Sequence, residues 1–494
     1  MLVGLALLTA DILAAQIALS RVLASTLGYY FAFMLVSLAM LGLACGALLV
    51  HVRVSWFRRE TLERDAAVLS LACAVAASAG GMAYLAVYAP AHRPPLFFWL
   101  APAFLCFFPY FLFGGIAVSL ILRYAGAQFH RAYAVDLVGA AAGAGAAVLL
   151  LSVLSPMQVL FHAVALLGAA AAATLALGGR RHALAGASIA VAAALLGFAV
   201  WAGASPQRNS PPHVDWLWRP RHHVAWNAFS SITVFPGFFF SWGLSNTYTG
   251  PQFPMEDLII DGIGGTQVVG FDGKAASLQG YQYLDADLST LGQELVAPTA
   301  SQLVIGPGGG VDLLQAIRRG RTEVDAVEIN PLMVETVNET LAPFSGAPYR
   351  LPGVRVAVEN GRTFIQRSSK QWGLISLTWV DTGGSATALA ASENYLYTVE
   401  AYKEYLRHLP PAGMLAFMRA TGERSPDRPM DTLRAIAVTI EALERVGARN
   451  PSDHIIVLAT ESRFFFKRGM CYVLVKRTPF TAGEIGRASC RERV

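Results

Sequence analysis

Charge is scarce in this chain. Asp, Glu, Lys and Arg make up 14% of its 494 residues, where a soluble domain carries about 25%. The deficit is local. Residues 1–203 are almost all Ala, Leu, Val, Gly and Phe, whereas 204–483 have an ordinary globular composition. That contrast predicts a membrane half and a soluble half, divided near Ala204-Ser205-Pro206. Cysteine is also sparse, and its five copies form no CxxC and no Cys/His cluster. Cys45, Cys73 and Cys106 lie in apolar segments and Cys471 in a strand-like run, so neither a disulfide framework nor a metal is expected. The net charge of +5 is small. Its arginines fall mostly in short loops between apolar runs, which gives no reason to expect a nucleic-acid partner. The first apolar segment lacks a basic leader and a small-residue cleavage site, so it reads as a span and not as a cleaved signal.

What is there in abundance is long apolar runs. Stretches of about 20 such residues can cross a bilayer, and seven are expected, at 2–20, 30–52, 66–89, 96–122, 132–152, 157–178 and 183–203. One set of loops holds Arg53, Arg58, Arg59, Arg64, Arg123, Arg131, Arg180 and Arg181, the opposite set Arg21 and Arg93. The richer set belongs in the cytoplasm. With seven spans the soluble half would then lie outside, in conflict with an intracellular ligand. Gly42 with Gly46, and Gly139 with Gly143, have the GxxxG spacing of closely packed helices. Asp136, and on the first span Asp11 and Gln16, are polar positions open to a functional or an interfacial reading.

The soluble half is organised around residues 301–330. Leu303-Val304-Ile305 has the length of a buried parallel strand and breaks into Gly306-Pro307-Gly308-Gly309-Gly310. Val311, Leu313, Leu314 and Ile317 then recur at helical spacing up to Arg318-Arg319-Gly320. A second apolar run, Val324 to Ile329, carries Glu328 near its end, close to the spacing of about 20 residues from Gly306 that a ribose-binding acid takes. Glycines let backbone approach a ligand, and a carboxylate after the next strand can accept both ribose hydroxyl protons. A glycine turn that binds nothing is the alternative. Upstream, 204–230 is a Pro-, Trp- and His-rich linker whose His222-His223 is expected to be an exposed pair. Residues 231–295 read as a small antiparallel β subdomain, and its Phe238-Phe239-Phe240 and Trp242 as core, with a surface docked on the membrane as the alternative. Downstream, Val354 to Val358 is a third strand ending at Asn360, a short polar side chain able to bond an adenine edge. A fourth strand, Gly373 to Leu377, runs into Thr378-Trp379-Val380-Asp381-Thr382-Gly383-Gly384, glycines and an acid placed as a catalytic loop.

VIGPGGGVDLL, VEIN, ENGRTF, ENYLYTVEAY and PPAGMLAF, in that order and spacing, resemble the polyamine aminopropyltransferase (spermidine synthase) family over roughly residues 225–478, and LIIDGIGGTQ looks like that family's N-terminal β-hairpin domain. LSRVLAS, SLAMLGLACGALL and AYAVDLVGAAAGA resemble the multi-pass region of bacterial membrane-fused forms. The resemblance implies a multi-pass α-helical membrane domain (1–203) followed by an α/β Rossmann-like, methyltransferase-type domain (296–483) with a small N-terminal β-hairpin subdomain. It implies S-adenosylmethionine or its decarboxylated form as substrate and no metal. Gly306, Gly308 and Gly310 would border the methionine moiety, Glu328 would hold the ribose, and Asn360 would stand where the family usually has an adenine-contacting Asp. The family's loop has two aspartates in a D-x-x-D-P pattern. Here the aligned residues are Thr378 and Asp381, followed by Thr382. Threonine is no base near neutral pH, which leaves Asp381 as the catalytic acid–base candidate, with Glu393 to help bind a cationic amine.

The expected partners are therefore the lipid bilayer of a bacterial inner membrane and a small amine acceptor, with a homo-oligomer left open. Methyl transfer on the same fold is one alternative. A catalytically silent nucleoside or polyamine sensor governing a transport-like membrane half is another. An NAD-dependent enzyme fits the glycine turn but not the later motifs. Residues 484–494, EIGRASCRERV, resemble translated adapter sequence and are expected to be a non-native tail.

Overall fold

The computed structural model describes every residue except 28–31, 89–95, 204–221, 238–242, 246–247, 252, 262–263, 379, 381–394, 421–429, 462–468 and 492–494. It divides into two compact units, Met1–Trp218 with Val224–Ser231 and Arg219–His223 with Ile232–Val494.

The first unit is helical: α1 (Leu2–Leu27), α2 (Ala32–Val52), α3 (Leu62–Tyr88), α4 (Leu96–Tyr124), α5 (Phe129–Leu150), α6 (Pro156–Gly178) and α7 (His182–Gly203). Among the described residues six helices, α1 to α6, are long and apolar enough to cross a membrane. The seventh expected span is present as the 22-residue helix α7. The GxxxG glycines lie where helices touch. A Cβ on Gly143 would fall 2.1 Å from the Ala10 carbonyl oxygen and one on Gly139 2.4 Å from that of Ala6, both on α1. Gly42 and Gly46 meet Phe111 and Ile116 of α4 in the same way. Asp11 is fully buried within α1. Ser155 and Gln158 close a reciprocal cap ahead of α6, with Pro156 in its first turn, which satisfies two backbone donors that a helix start would otherwise leave open.

The second unit is α/β. Strand β1 (His223–Trp226) falls mostly within Val224–Ser231 of the first unit; the small sheet of the second runs in the order β2-β3-β4, from β2 (Ser231–Pro236), β3 (Met255–Ile260) and β4 (Gly264–Val269). The β2–β3 and β3–β4 pairs are antiparallel, as the alternating pattern predicts. His222 is half-exposed, 3.1 Å from Glu256. The main sheet has seven strands in the order β10-β11-β9-β8-β5-β6-β7: β5 (Gln302–Ile305), β6 (Val324–Glu328), β7 (Val354–Val358), β8 (Leu374–Leu377), β9 (Met414–Ala420), β10 (Ile455–Glu461) and β11 (Gly469–Lys476). Strands β5 to β9 are parallel, while β11 runs antiparallel to β9 and β10. The helices used below are α8 (Val311–Arg318), α9 (Gly361–Arg367), α10 (Val399–Arg407), α11 (Met430–Arg445) and α12 (Ala482–Arg491).

The chain builds outward from β5 through β6 to β7, then returns to place β8 on the other side of β5. Such a reversal opens a crevice at the carboxyl ends of the two central strands, where open α/β sheets take ligands. Beneath it lies a core of Leu303, Ile305, Val327, Ile375, Leu377, Tyr402, Tyr405 and Phe417. One buried carboxylate locks three segments of this unit. Asp325 on β6 accepts from Trp372 Nε1 at 2.7 Å, from Arg355 Nε at 2.9 Å and from Lys370 Nζ. Residues 484–491 belong to α12, where Ala488 packs with Phe480 in a core cluster and Glu484 pairs with Lys476 at 2.7 Å.

Candidate functional site

Strand β5 is buried throughout and ends in the glycine turn. Gly306, Gly308 and Gly310 have φ of +67°, +51° and +89°, a region that L side chains with a Cβ avoid. Gly310 is the residue from which α8 starts. Gly309 is needed for a different reason: a Cβ there would sit 1.9 Å from the Gln267 carbonyl oxygen. Strand β4 of the small sheet thus lies directly on the turn, and Thr266 Oγ1 accepts the Gly309 N–H at 3.0 Å. From below, the Tyr349 hydroxyl donates to the Gly308 carbonyl oxygen at 2.6 Å. The turn is clamped on both sides.

Glu328 ends β6 and is 7% exposed. Its Oε1 accepts the Asn330 N–H at 3.0 Å. Burial pushes this carboxyl up, and the backbone N–H groups of Asn330, Gly308 and Ile329 oppose the shift. The Gly308 amide therefore faces the Glu328 carboxylate, so the turn and the acid converge. Ile329, next in the chain, is exposed. On the neighbouring strand Val358 pairs with Glu328, and two residues later Asn360 caps α9, its Oδ1 accepting the N–H groups of Arg362 at 2.9 Å and Thr363 at 3.3 Å. With that oxygen committed to the helix, the exposed Asn360 side chain presents its NH2 group, a donor and not an acceptor.

Asp381 and Glu393 lie outside the described residues. The approaches to them are described. Thr378 follows β8, and Val380 lies against Gly306, where a Cβ would meet Val380 Cγ2 at 2.6 Å. The Tyr397 hydroxyl donates to the Val380 carbonyl oxygen at 2.7 Å. Arg362 donates to the Tyr395 carbonyl oxygen at 2.9 Å and to Thr398 Oγ1 at 3.1 Å. Residues 395–398 are thereby tied both to α9 and to Val380.

Four residues at this end of the sheet are not expected from sequence: Thr266, Tyr349, Tyr397 and Asp312. Asp312 is 6% exposed and accepts from Thr378 Oγ1 at 2.6 Å. Burial is the chief reason its carboxyl is pushed up to about 6; the Thr378 bond opposes this and the Asp287 charge adds to it. Tyr349 is held well above the ordinary phenol range by burial, with the charges of Glu328 and Asp312 adding to it. The one available signal for Asp312 was an acid in the first turn of a helix whose buried positions are otherwise Leu313, Leu314, Gln315 and Ala316, uncharged throughout. Among the described residues no three His, Cys, Asp or Glu side chains group as a metal set. Chemically, the strand ends offer a clamped glycine turn, a carboxylate for hydroxyl protons, an exposed apolar side chain beside it, and an amide donor one strand further.

No family model matches the chain. It is 26% identical over 93 residues to the polyamine aminopropyltransferase of Korarchaeum cryptofilum (strain OPF8), a stretch that is 19% of this chain and 29% of that protein. The chain thus matches less than a third of that relative's length. Among solved structures it is similar to a spermidine synthase in complex with the transition state analogue AdoDATO, at 14% identity and a TM-score of 0.35, covering 54% of this chain and 75% of that one. It is also similar to human methyltransferase-like protein 13 in complex with SAH, at 14% identity and a TM-score of 0.28, covering 41% and 88%. Overlaps at these scores carry no argument about function.

Proposed function

We infer that the α/β unit binds a sulfonium nucleoside, S-adenosylmethionine or its decarboxylated form, and transfers an aminopropyl or methyl group from it to an amine. The observation that carries this reading is the convergence of the Gly306–Gly310 turn with Glu328 at the switch point of the sheet. Gly308 supplies both an N–H toward the carboxylate and a carbonyl held by Tyr349. In the bound state Glu328 takes the ribose hydroxyls, Ile329 lies along the base, and Asn360 donates to the adenine edge. Asp381 and Glu393 hold the cationic acceptor. The similarity to a polyamine aminopropyltransferase supports aminopropyl over methyl transfer. The six apolar helices anchor the enzyme in a bacterial inner membrane as a multi-pass protein.

The reaction asks little covalent work of the protein. An amine nitrogen attacks a carbon bonded to a positively charged sulfur, and a neutral thioether leaves. The rate then depends on alignment and on removal of one proton. A second reading, a sensor that binds the nucleoside without turnover, draws support from Thr378 standing where an acid would be expected. Full-length protein titrated calorimetrically with each nucleoside, then incubated with 1,4-diaminobutane, separates the readings. Binding and release of the thioether nucleoside support transfer. Binding with no product from either nucleoside, in the presence of any of a panel of primary amines, supports the sensor. No binding of either rejects both.

A further inference from the structure

Thr378 presents a difficulty for any transfer chemistry at this site, because a hydroxyl alone takes no proton near neutral pH. The structure supplies what the loop lacks from a different element. Asp312, in the first turn of α8, accepts a hydrogen bond from the Thr378 hydroxyl at 2.6 Å. Both residues are buried, at 6% and 2% exposure, and both stand at the carboxyl ends of the adjacent parallel strands β5 and β8. We propose that Asp312 is the positioning residue of a Thr378–Asp312 pair that orients the acceptor amine and receives its proton.

The inference rests on the transfer reading above. A hydroxyl whose proton is committed to a carboxylate has only lone pairs left to offer. Thr378 Oγ1 is therefore fixed as an acceptor, and an amine N–H that bonds to it has its nitrogen lone pair free to point elsewhere, toward the sulfonium carbon. The step balances within these groups. The nitrogen lone pair forms the C–N bond as the C–S bond breaks, and the C–S electron pair leaves on sulfur as a neutral thioether. The new ammonium passes one proton to Thr378 Oγ1, and the Thr378 proton moves to Asp312, from which water removes it after product leaves. The titratable groups facing Asp312 are Asp287, ahead of the turn Leu288–Thr290, and Tyr349, from the turn Pro348–Arg350. Among the described residues no cation hydrogen-bonds to it. Its value of about 6 leaves it ionised at neutral pH and able to titrate just below.

In Asp312→Asn the carboxamide can turn its NH2 toward Thr378, which reverses the hydroxyl and makes it a donor. Thr378→Val removes the hydroxyl with its shape kept, and Thr378→Ser keeps it. The test is the pH dependence of transfer by full-length protein, with decarboxylated S-adenosylmethionine and S-adenosylmethionine as donors and 1,4-diaminobutane as acceptor. The amine's own ionisation, near pH 10 by analogy with lysine, is common to all variants and gives log kcat/KM a slope of about one. Wild type is expected to steepen to about two below pH 6, and Asp312→Asn to stay at about one. Asp312→Asn and Thr378→Val should each lower kcat by about 10²- to 10³-fold with nucleoside KM unchanged. The double variant should be no worse than either, and Thr378→Ser should stay near wild type. An Asp312→Asn enzyme that keeps its rate and the steep limb overturns the pair and leaves the transfer reading standing. So does one whose nucleoside affinity falls in step with its rate, because that marks a role in shaping the turn. Wild type that binds nucleoside and transfers nothing overturns both.

Discussion

In α1 to α6, close approach is achieved by removing side chains. Gly139 and Gly143 let α5 lie on the α1 backbone, and Gly42 and Gly46 let α2 lie on α4. In the α/β unit the tight places are held by added polar groups: Asp325 gathers Trp372, Arg355 and Lys370, and Glu328 gathers backbone amides. The difference is the one that the proposed membrane setting of the first unit would produce. Hydrocarbon gives apolar side chains no gain on leaving it, so helices there associate by van der Waals fit. In water a buried carboxylate is retained only where enough donors meet it. The first unit should therefore be sensitive to volume and the second to loss of hydrogen-bond partners.

That contrast can be broken in four places. Gly143→Leu would drive a side chain into the Ala10 carbonyl and should separate α1 from α5. The expected outcome is loss of the folded bundle in thermal unfolding of the detergent-solubilised protein, and survival of the wild-type transition would refute the small-residue account. Asp325→Ala should cost about 1–3 kcal/mol, since it leaves Trp372 Nε1 without its acceptor and leaves Arg355 and Lys370 with Glu323 alone; denaturant titration of the α/β transition reads it. Burial alone would raise the Asp325 carboxyl, but its hydrogen bonds to Arg355, Lys370 and Trp372 bring it below the ordinary range. Its stabilising share is therefore present above the unfolded value and lost as pH falls through the folded one, so the cost of Asp325→Ala should shrink in acid.

Asp312 has the opposite sign. Its carboxyl rises on folding from 3.8 to about 6, so the fold favours its protonated form. That contribution is complete below the unfolded value and disappears as pH climbs through about 6. Asp312→Asn, which cannot ionise, should gain on wild type between these limits, by at most about 3 kcal/mol above pH 6. Unfolding measured at pH 4 and pH 8 compares the two, and an equal difference at both would contradict the assignment. The smallest effect is expected from Asn360→Ala, about 1 kcal/mol for the lost cap of α9, with a parallel weakening of nucleoside binding that a cap alone would not produce.

The first four strands of the main sheet were legible as short apolar runs, β5 closed by Gly306 and β6 by Glu328, and the small sheet because its residues alternate. Glu328 was legible because one strand–turn–helix–strand unit sets its distance from Gly306. The Thr378–Asp312 bond was not, since it joins residues 66 apart in the chain and neither has a partner at any local spacing. The same holds for Asp325 with Trp372, 47 apart. Periodicity reports which face a residue occupies, and hydrogen bonds across parallel strands depend on register, which it does not report. In the helical half composition located each of the seven apolar helices, the last of them as the 22-residue α7.

The most direct measurement is the equilibrium affinity of the full-length protein for S-adenosylmethionine and its decarboxylated form, in wild type and in Glu328→Ala. Hydrogen bonds to a charged group contribute about 1.5–3 kcal/mol each, so a Glu328 carboxylate that grips the sugar should leave the variant weaker by about 10- to 100-fold or more for both nucleosides. An unchanged affinity in a folded Glu328→Ala protein, or no binding by the wild type, would contradict the account.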